Sequence, residues 1–136
     1  MRKIIIIATI ILASTIQINA QEDFAPQISF EETLFNFDTI LQNSNGEHVF
    51  RFSNVGNAPL VVTSAFSSCG CVVPEWPKEP IAPGEASSIK VKYNTSKTGQ
   101  FTKVIVVKSN AENTPKTILR INGVVVEAIE KGNSDH

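Results

Sequence analysis

Ser88-Ile89-Lys90-Val91-Lys92-Tyr93 sets apolar and polar side chains in strict alternation. Successive side chains of a β-strand point to opposite faces, so Ile89, Val91 and Tyr93 face inward and Ser88, Lys90 and Lys92 outward. The same period appears upstream, where His48, Phe50 and Phe52 alternate with Val49, Arg51 and Ser53. That strand is entered through the turn-prone Asn43-Ser44-Asn45-Gly46 and ended by Asn54-Val55-Gly56-Asn57-Ala58-Pro59. Leu60 to Phe66, Phe101 to Lys108 and Thr117 to Val126 supply further strands, and Val104 to Val107 is apolar on both faces, as a central strand is. Gln27 to Phe30 and Leu34 to Phe37 add one or two at the front.

No segment after residue 20 carries convincing 3.6-residue apolar periodicity. The chain therefore reads as all-β. About seven short strands, with turn signals about every ten residues, suit a two-sheet Greek-key sandwich better than a closed barrel. The domain is expected over residues 27–126, with 127–136 a polar, flexible tail.

Basic Met1-Arg2-Lys3, the apolar run Ile4 to Ala13 and the small residue ending Ile18-Asn19-Ala20 have the layout of a secretory signal peptide, residues 1–20, cleaved after Ala20. The apolar run is too short to span a bilayer, which argues against a retained anchor and against membrane insertion after cleavage. Of the 12 basic side chains, Arg2 and Lys3 leave with the signal; the other 10 face 13 acidic ones. A chain with no basic patch offers nothing to a nucleic acid. It is long enough for one domain and too short for two ordinary ones.

Both cysteines lie in Cys69-Gly70-Cys71, ahead of Pro74, Pro77, Pro80 and Pro83. Prolines at every third position match the polyproline II repeat and predict an extended rod about 28 Å long. Trp76, Glu79 and Ala82 would line a second edge of it, and Glu75, Lys78 and Ile81 a third. The rod reads either as a partner surface, with Trp76 as an aromatic platform for a peptide or sugar, or as a stiff cover pinned by a buried Trp76. In an oxidising compartment two cysteines this close are most simply paired with each other. Gly70 favours that approach by its backbone freedom. So short a loop removes only about 1.5 kcal/mol of unfolded-state entropy. A thiolate pair for a soft metal such as Cu(I) and two buried or partner-bonded thiols are the other readings. They are too close in sequence to join two sheets.

These stretches resemble a bacterial secreted family, the domain of unknown function 1573, itself similar to the immunoglobulin-like modules of ciliary and sperm-surface proteins. The resemblance rests on Phe30-Glu31-Glu32-Thr33, on Asn54 with Gly56-Asn57-Ala58-Pro59-Leu60, on Ser67-Ser68-Cys69-Gly70-Cys71, and on Pro74 through Glu85, and it runs from about Ile28 to Val126. It implies an immunoglobulin-like sandwich exported by a Gram-negative bacterium of the Bacteroidetes type, and it implies no activity. Two departures stand out: Asp38 where the family usually has glycine, and Val72 where it usually has threonine.

No catalytic arrangement is visible. The serines and threonines lack a histidine base with an orienting carboxylate, and Glu31 and Glu32 would point to opposite faces of a strand. Cu(I) carriage would want methionine and histidine beside the thiolates, but Met1 leaves with the signal, His136 sits in the tail, and His48 shares the face of Phe50 and Phe52. No metal or cofactor is expected. Asn94-Thr95-Ser96 reads as a turn, and Asp38-Thr39-Ile40 resembles the O-glycosylation acceptor that Bacteroidetes use on exported proteins, which makes Thr39 a candidate. The expected function is an exported, non-enzymatic interaction or structural module, periplasmic or at the cell surface. Its surface for an unidentified protein or glycan would comprise Pro74, Glu75, Trp76, Pro77, Lys78, Pro80 and Pro83 beside Cys69 and Cys71. The alternative is a periplasmic thiol protein, a redox partner or Cu(I) carrier, using Cys69 and Cys71.

Overall fold

The computed structural model describes residues 24–128; the signal segment and most of the expected tail lie outside them. Among the described residues there is no helix, and none therefore long and apolar enough to cross a membrane. The strands are β1 (Ile28–Phe30), β2 (Leu34–Leu41), β3 (Glu47–Asn54), β4 (Val62–Ser67), β5 (Val72–Glu75), β6 (Ala86–Tyr93), β7 (Gly99–Ser109) and β8 (Lys116–Val126). They form two four-stranded sheets, ordered β1-β3-β6-β5 and β2-β8-β7-β4.

The alternation explains the packing. Phe50, Phe52, Ile89 and Val91 of the first sheet and Ile105, Val107, Leu119 and Ile121 of the second are buried in one continuous core. Central position falls to β3 and β6 in one sheet and to β7 and β8 in the other. The front of the chain divides between the sheets: β1 runs antiparallel to β3, and β2 crosses over to run parallel to β8. At Asn36/Thr39 the register of β2 shifts, and Asp38 there takes a φ of 55°. That is a left-handed conformation, for which glycine is the usual residue and which aspartate tolerates. The Asp38 N–H donates to Asn36 Oδ1 at 2.9 Å, which closes the local turn.

There are eight strands where about seven were expected. The additional one is β5, which pairs Val72 to Glu75 with Tyr93 to Lys90 and so places Pro74 inside a ladder. Proline is tolerated because β5 is an edge strand. The Asn94 N–H donates to Cys71 O, so Val73 and Glu75 face β6 in turn, and Pro74 directs its missing N–H to the unpaired side.

Candidate functional site: the disulfide and the proline segment

β4 ends at Ser67, and the chain turns through Cys69-Gly70-Cys71 into β5. Cys69 and Cys71 are at disulfide distance, with Cα atoms 5.3 Å apart, and both are half-buried. The Val72 N–H donates to Cys69 O at 3.3 Å and the Asn94 N–H to Cys71 O at 2.8 Å, which anchors the small ring to the start of β5 and the end of β6. Gly70 does not play the expected role. It has no left-handed φ, and a Cβ there would meet nothing within 4 Å, so the ring does not require glycine. Val72, the departure from the family's threonine, is a core residue opposite Tyr93.

Two open depressions flank the cysteines. The larger, about 800 Å³, is bounded by Gly70, Cys71, Tyr93, Asn94 and Asn45. The smaller, about 350 Å³, is bounded by Cys69, Cys71, Tyr93, Lys97 and Lys103. Tyr93 separates both from the core, stacked on Phe101 with ring centroids 3.9 Å apart, and burial pushes its phenol pKa up. Lys103 could not be assigned to this site from sequence alone, because it occupies an inward position of β7 between the core residues Phe101 and Ile105.

The single rod from Pro74 to Pro83 is not observed. Its first part is β5, and its last part is fixed by a bridge in which Leu60 and Ile81 exchange both backbone hydrogen bonds, at 2.9 and 2.7 Å. Ile81 is only 5% exposed, whereas Glu75 and Lys78, its expected edge mates, are exposed. The chain leaves the threefold repeat because the core claims Ile81. Ile81, not Trp76, is the deepest anchor. Trp76 is half-buried against the core and carries the Lys78 ammonium 3.1 Å from its ring centroid, a cation–π contact that occupies the face a sugar would need. Pro77 is also half-buried, while Glu79, Pro80 and Pro83 are exposed. The emission of the single tryptophan is expected to lie to the blue of free tryptophan, with partial protection from acrylamide; free-tryptophan emission with full quenching would refute the packing of this ring.

Asn54 ties the segment down at the other end. It is fully buried at the end of β3, where its Nδ2 donates to Ala58 O and Ile81 O at 2.7 and 2.9 Å, and its Oδ1 accepts from Gly56 N at 3.0 Å and Gln27 N at 3.4 Å. The Asn54 backbone adds bonds with Glu85 and Gly84. The segment thus closes one end of the sandwich with its exposed side chains on a fixed backbone.

The remaining candidates lie elsewhere. His48 Nε2 meets Glu32 Oε1 at 2.6 Å, and its ring stacks on Phe35 with centroids 3.5 Å apart, so its contacts are with these residues and not with the cysteines. Among the described residues no three His, Cys, Asp or Glu side chains converge as a metal site would require. Thr39 is exposed beside the β2 bulge. Thr95 is buried in the expected turn and donates to Ser44 O at 2.7 Å.

Comparison with known proteins agrees with this architecture. A protein of unknown function from Porphyromonas gingivalis W83 superposes with a TM-score of 0.65 at 12% identity, over 73% of this chain and 46% of that one, so the present chain spans about half of it. The ASH/PapD-like domain 7 of human CEP192 superposes at 0.59, with 10% identity over 76% of this chain and 88% of that one. The periplasmic chaperone SfaE superposes at 0.51, with 9% identity over 76% and 60%. At such identities the likeness establishes the fold, an immunoglobulin-like, PapD-like sandwich. No curated protein matches. Residues 28–125 match the family described as protein of unknown function (DUF1573), and the chain belongs to that family.

Proposed function

We propose that this chain is an exported, non-enzymatic interaction or structural module whose partner surface includes the Cys69 to Pro83 segment, acting in the periplasm or at the cell surface. The observation that carries this reading is the clamping of an exposed segment: Lys78, Glu79, Pro80 and Pro83 project from a backbone held by Asn54, Leu60 and Ile81. A surface ordered in advance loses little entropy when a protein or glycan binds it. A pull-down from the native periplasm should retain a partner on the wild-type protein and lose it on a Lys78→Glu, Pro80→Ser variant. Equal retention by both would remove this surface from the proposal.

A second reading, a thiol protein, is supported by the half-buried cysteine pair and by Lys97 and Lys103 around the smaller depression, since nearby ammonium groups stabilise a thiolate once the bond is reduced. Free-thiol titration of the exported protein, followed by Cu(I) titration, separates the two readings. The interaction reading expects no free thiols, no stoichiometric Cu(I) binding, and a Cys69→Ser, Cys71→Ser variant that loses no more than about 2 kcal/mol. Two free thiols in protein purified aerobically from the periplasm would favour the alternative.

A further inference from the structure

The sandwich offers four strand edges and two outer faces to a partner. The edges are blunted. β1 has three residues, β5 has four and contains Pro74, and β2 and β4 are broken by register shifts at Asn36/Thr39 and Val62/Ser64. Short, bulged and proline-bearing edges resist the addition of a foreign strand. On the outer face of the first sheet carboxylates stand among the basic side chains, with Lys90 reaching Glu47 at 3.6 Å and Glu75 at 3.9 Å.

The outer face of the second sheet is built differently. Register places Phe66, Val106 and Ile118 side by side on β4, β7 and β8. The next row, about 7 Å along the strands, is Val104, Arg120 and Leu34. Phe66 is 47% exposed, Ile118 49% and Leu34 53%. On the other side of the apolar row lie Lys108 and Lys116, with the Lys108 ammonium 5.6 Å from the Phe66 ring centroid, so strand register assembles a small basic cluster where the linear sequence shows no basic patch. From that lysine row to the Arg120 row, no outward strand position carries a carboxylate, although the chain as a whole has net charge −1. One row beyond Arg120, Thr102, Asn122 and Asn36 border a depression of about 520 Å³ that Asp38 closes at the bulge.

We infer that the outer face of the second sheet docks an acidic protein segment, with its apolar side chains on Phe66, Val106 and Ile118 and its carboxylates against Lys108, Lys116 and Arg120. Charge complementarity selects the acidic partner. The apolar row lies on the face of a sheet and not on a protruding loop that could insert into an anionic bilayer, which selects a protein segment. This goes beyond the surface proposed above, which lies at the end of the sandwich and on the β5 edge, and it rests on the interaction-module reading.

The test is NMR titration of the isotope-labelled exported protein with two capped peptides, one of alternating aspartate and leucine and one of alternating lysine and leucine. The acidic peptide should shift the amides of Phe66, Val106, Ile118 and Arg120, and its affinity should fall about tenfold in a Lys116→Glu, Arg120→Glu variant while staying unchanged in Lys78→Glu. These positions are exposed, so the variants should fold, and unchanged spectra away from the face would verify it. Absent shifts, an equal response to the basic peptide, or shifts confined to Trp76 through Pro83 would overturn the inference, the last leaving the Cys69 to Pro83 surface standing. Co-sedimentation with phosphatidylglycerol vesicles without peptide binding would assign the face to a membrane surface. Self-association abolished by Ile118→Lys would assign it to a second copy. Either outcome also overturns the inference.

Discussion

Replacing Asn54 with alanine is expected to lower the unfolding free energy by about 4 kcal/mol, a large share of what a domain of this size possesses. The estimate follows from what the side chain satisfies. Its amide donates to the carbonyls of Ala58 and Ile81, and its oxygen accepts from Gly56 and, more weakly at 3.4 Å, from Gln27. The truncation removes all four bonds at a fully buried position and leaves backbone groups without partners, at about 1 kcal/mol or more for each well-formed bond lost. Asn54→Asp should be comparably damaging despite its near-identical shape, because a carboxylate cannot donate to two carbonyls and is costly to bury. Chemical denaturation measures the loss directly. In a thermal melt it corresponds to a fall of roughly 15 °C or more. A cost below about 1 kcal/mol for Asn54→Ala would show that these bonds are replaced by water, and that the end of the sandwich is more open than its geometry indicates.

The legible part of the fold was the part encoded locally. Period-two alternation identified β3 and β6 because a strand with one face on a core must alternate, and Phe50, Phe52, Ile89, Val91 and Tyr93 are buried as it required, with His48 half-buried near the start of β3. β5 was hidden by its own composition: Pro74 and the neighbouring cysteines read as loop, and only its place at a sheet edge makes the proline acceptable. The proline repeat misled in the same region. A period of three is a statement about local backbone preference, whereas Ile81 is positioned by Leu60, twenty-one residues earlier in the chain. Pairing of Cys69 with Cys71 could be read from spacing because it is nearly local. The row formed by Phe66, Val106 and Ile118 could not, since it exists only once three strands are in register.

Replacing Ile81 with alanine is expected to cost about 3 kcal/mol, more than the same truncation of Trp76, although tryptophan is the larger side chain. The reason is depth. Ile81 is 5% exposed and sits in the core cluster beside Leu60, which is fully buried, so its removal opens a cavity bounded by a backbone bridge and by the Asn54 amide; both hinder collapse. Isoleucine truncations in such settings lie in the range of about 2 to 5 kcal/mol. Trp76 is only partly buried, and its contact with Lys78 is a surface cation–π pair that contributes about 1 kcal/mol or less. The two variants should also differ in kind. Ile81→Ala should accelerate amide hydrogen exchange at Leu60 and Ile81, whose mutual hydrogen bonds close the bridge, whereas Trp76→Ala should leave those amides protected. If Trp76→Ala proved the costlier variant and opened the bridge as well, the tryptophan would be the pin that a proline rod requires. The exposed residues from Lys78 to Pro83 would then owe their order to it, and a partner binding there would be sensitive to Trp76 without touching it.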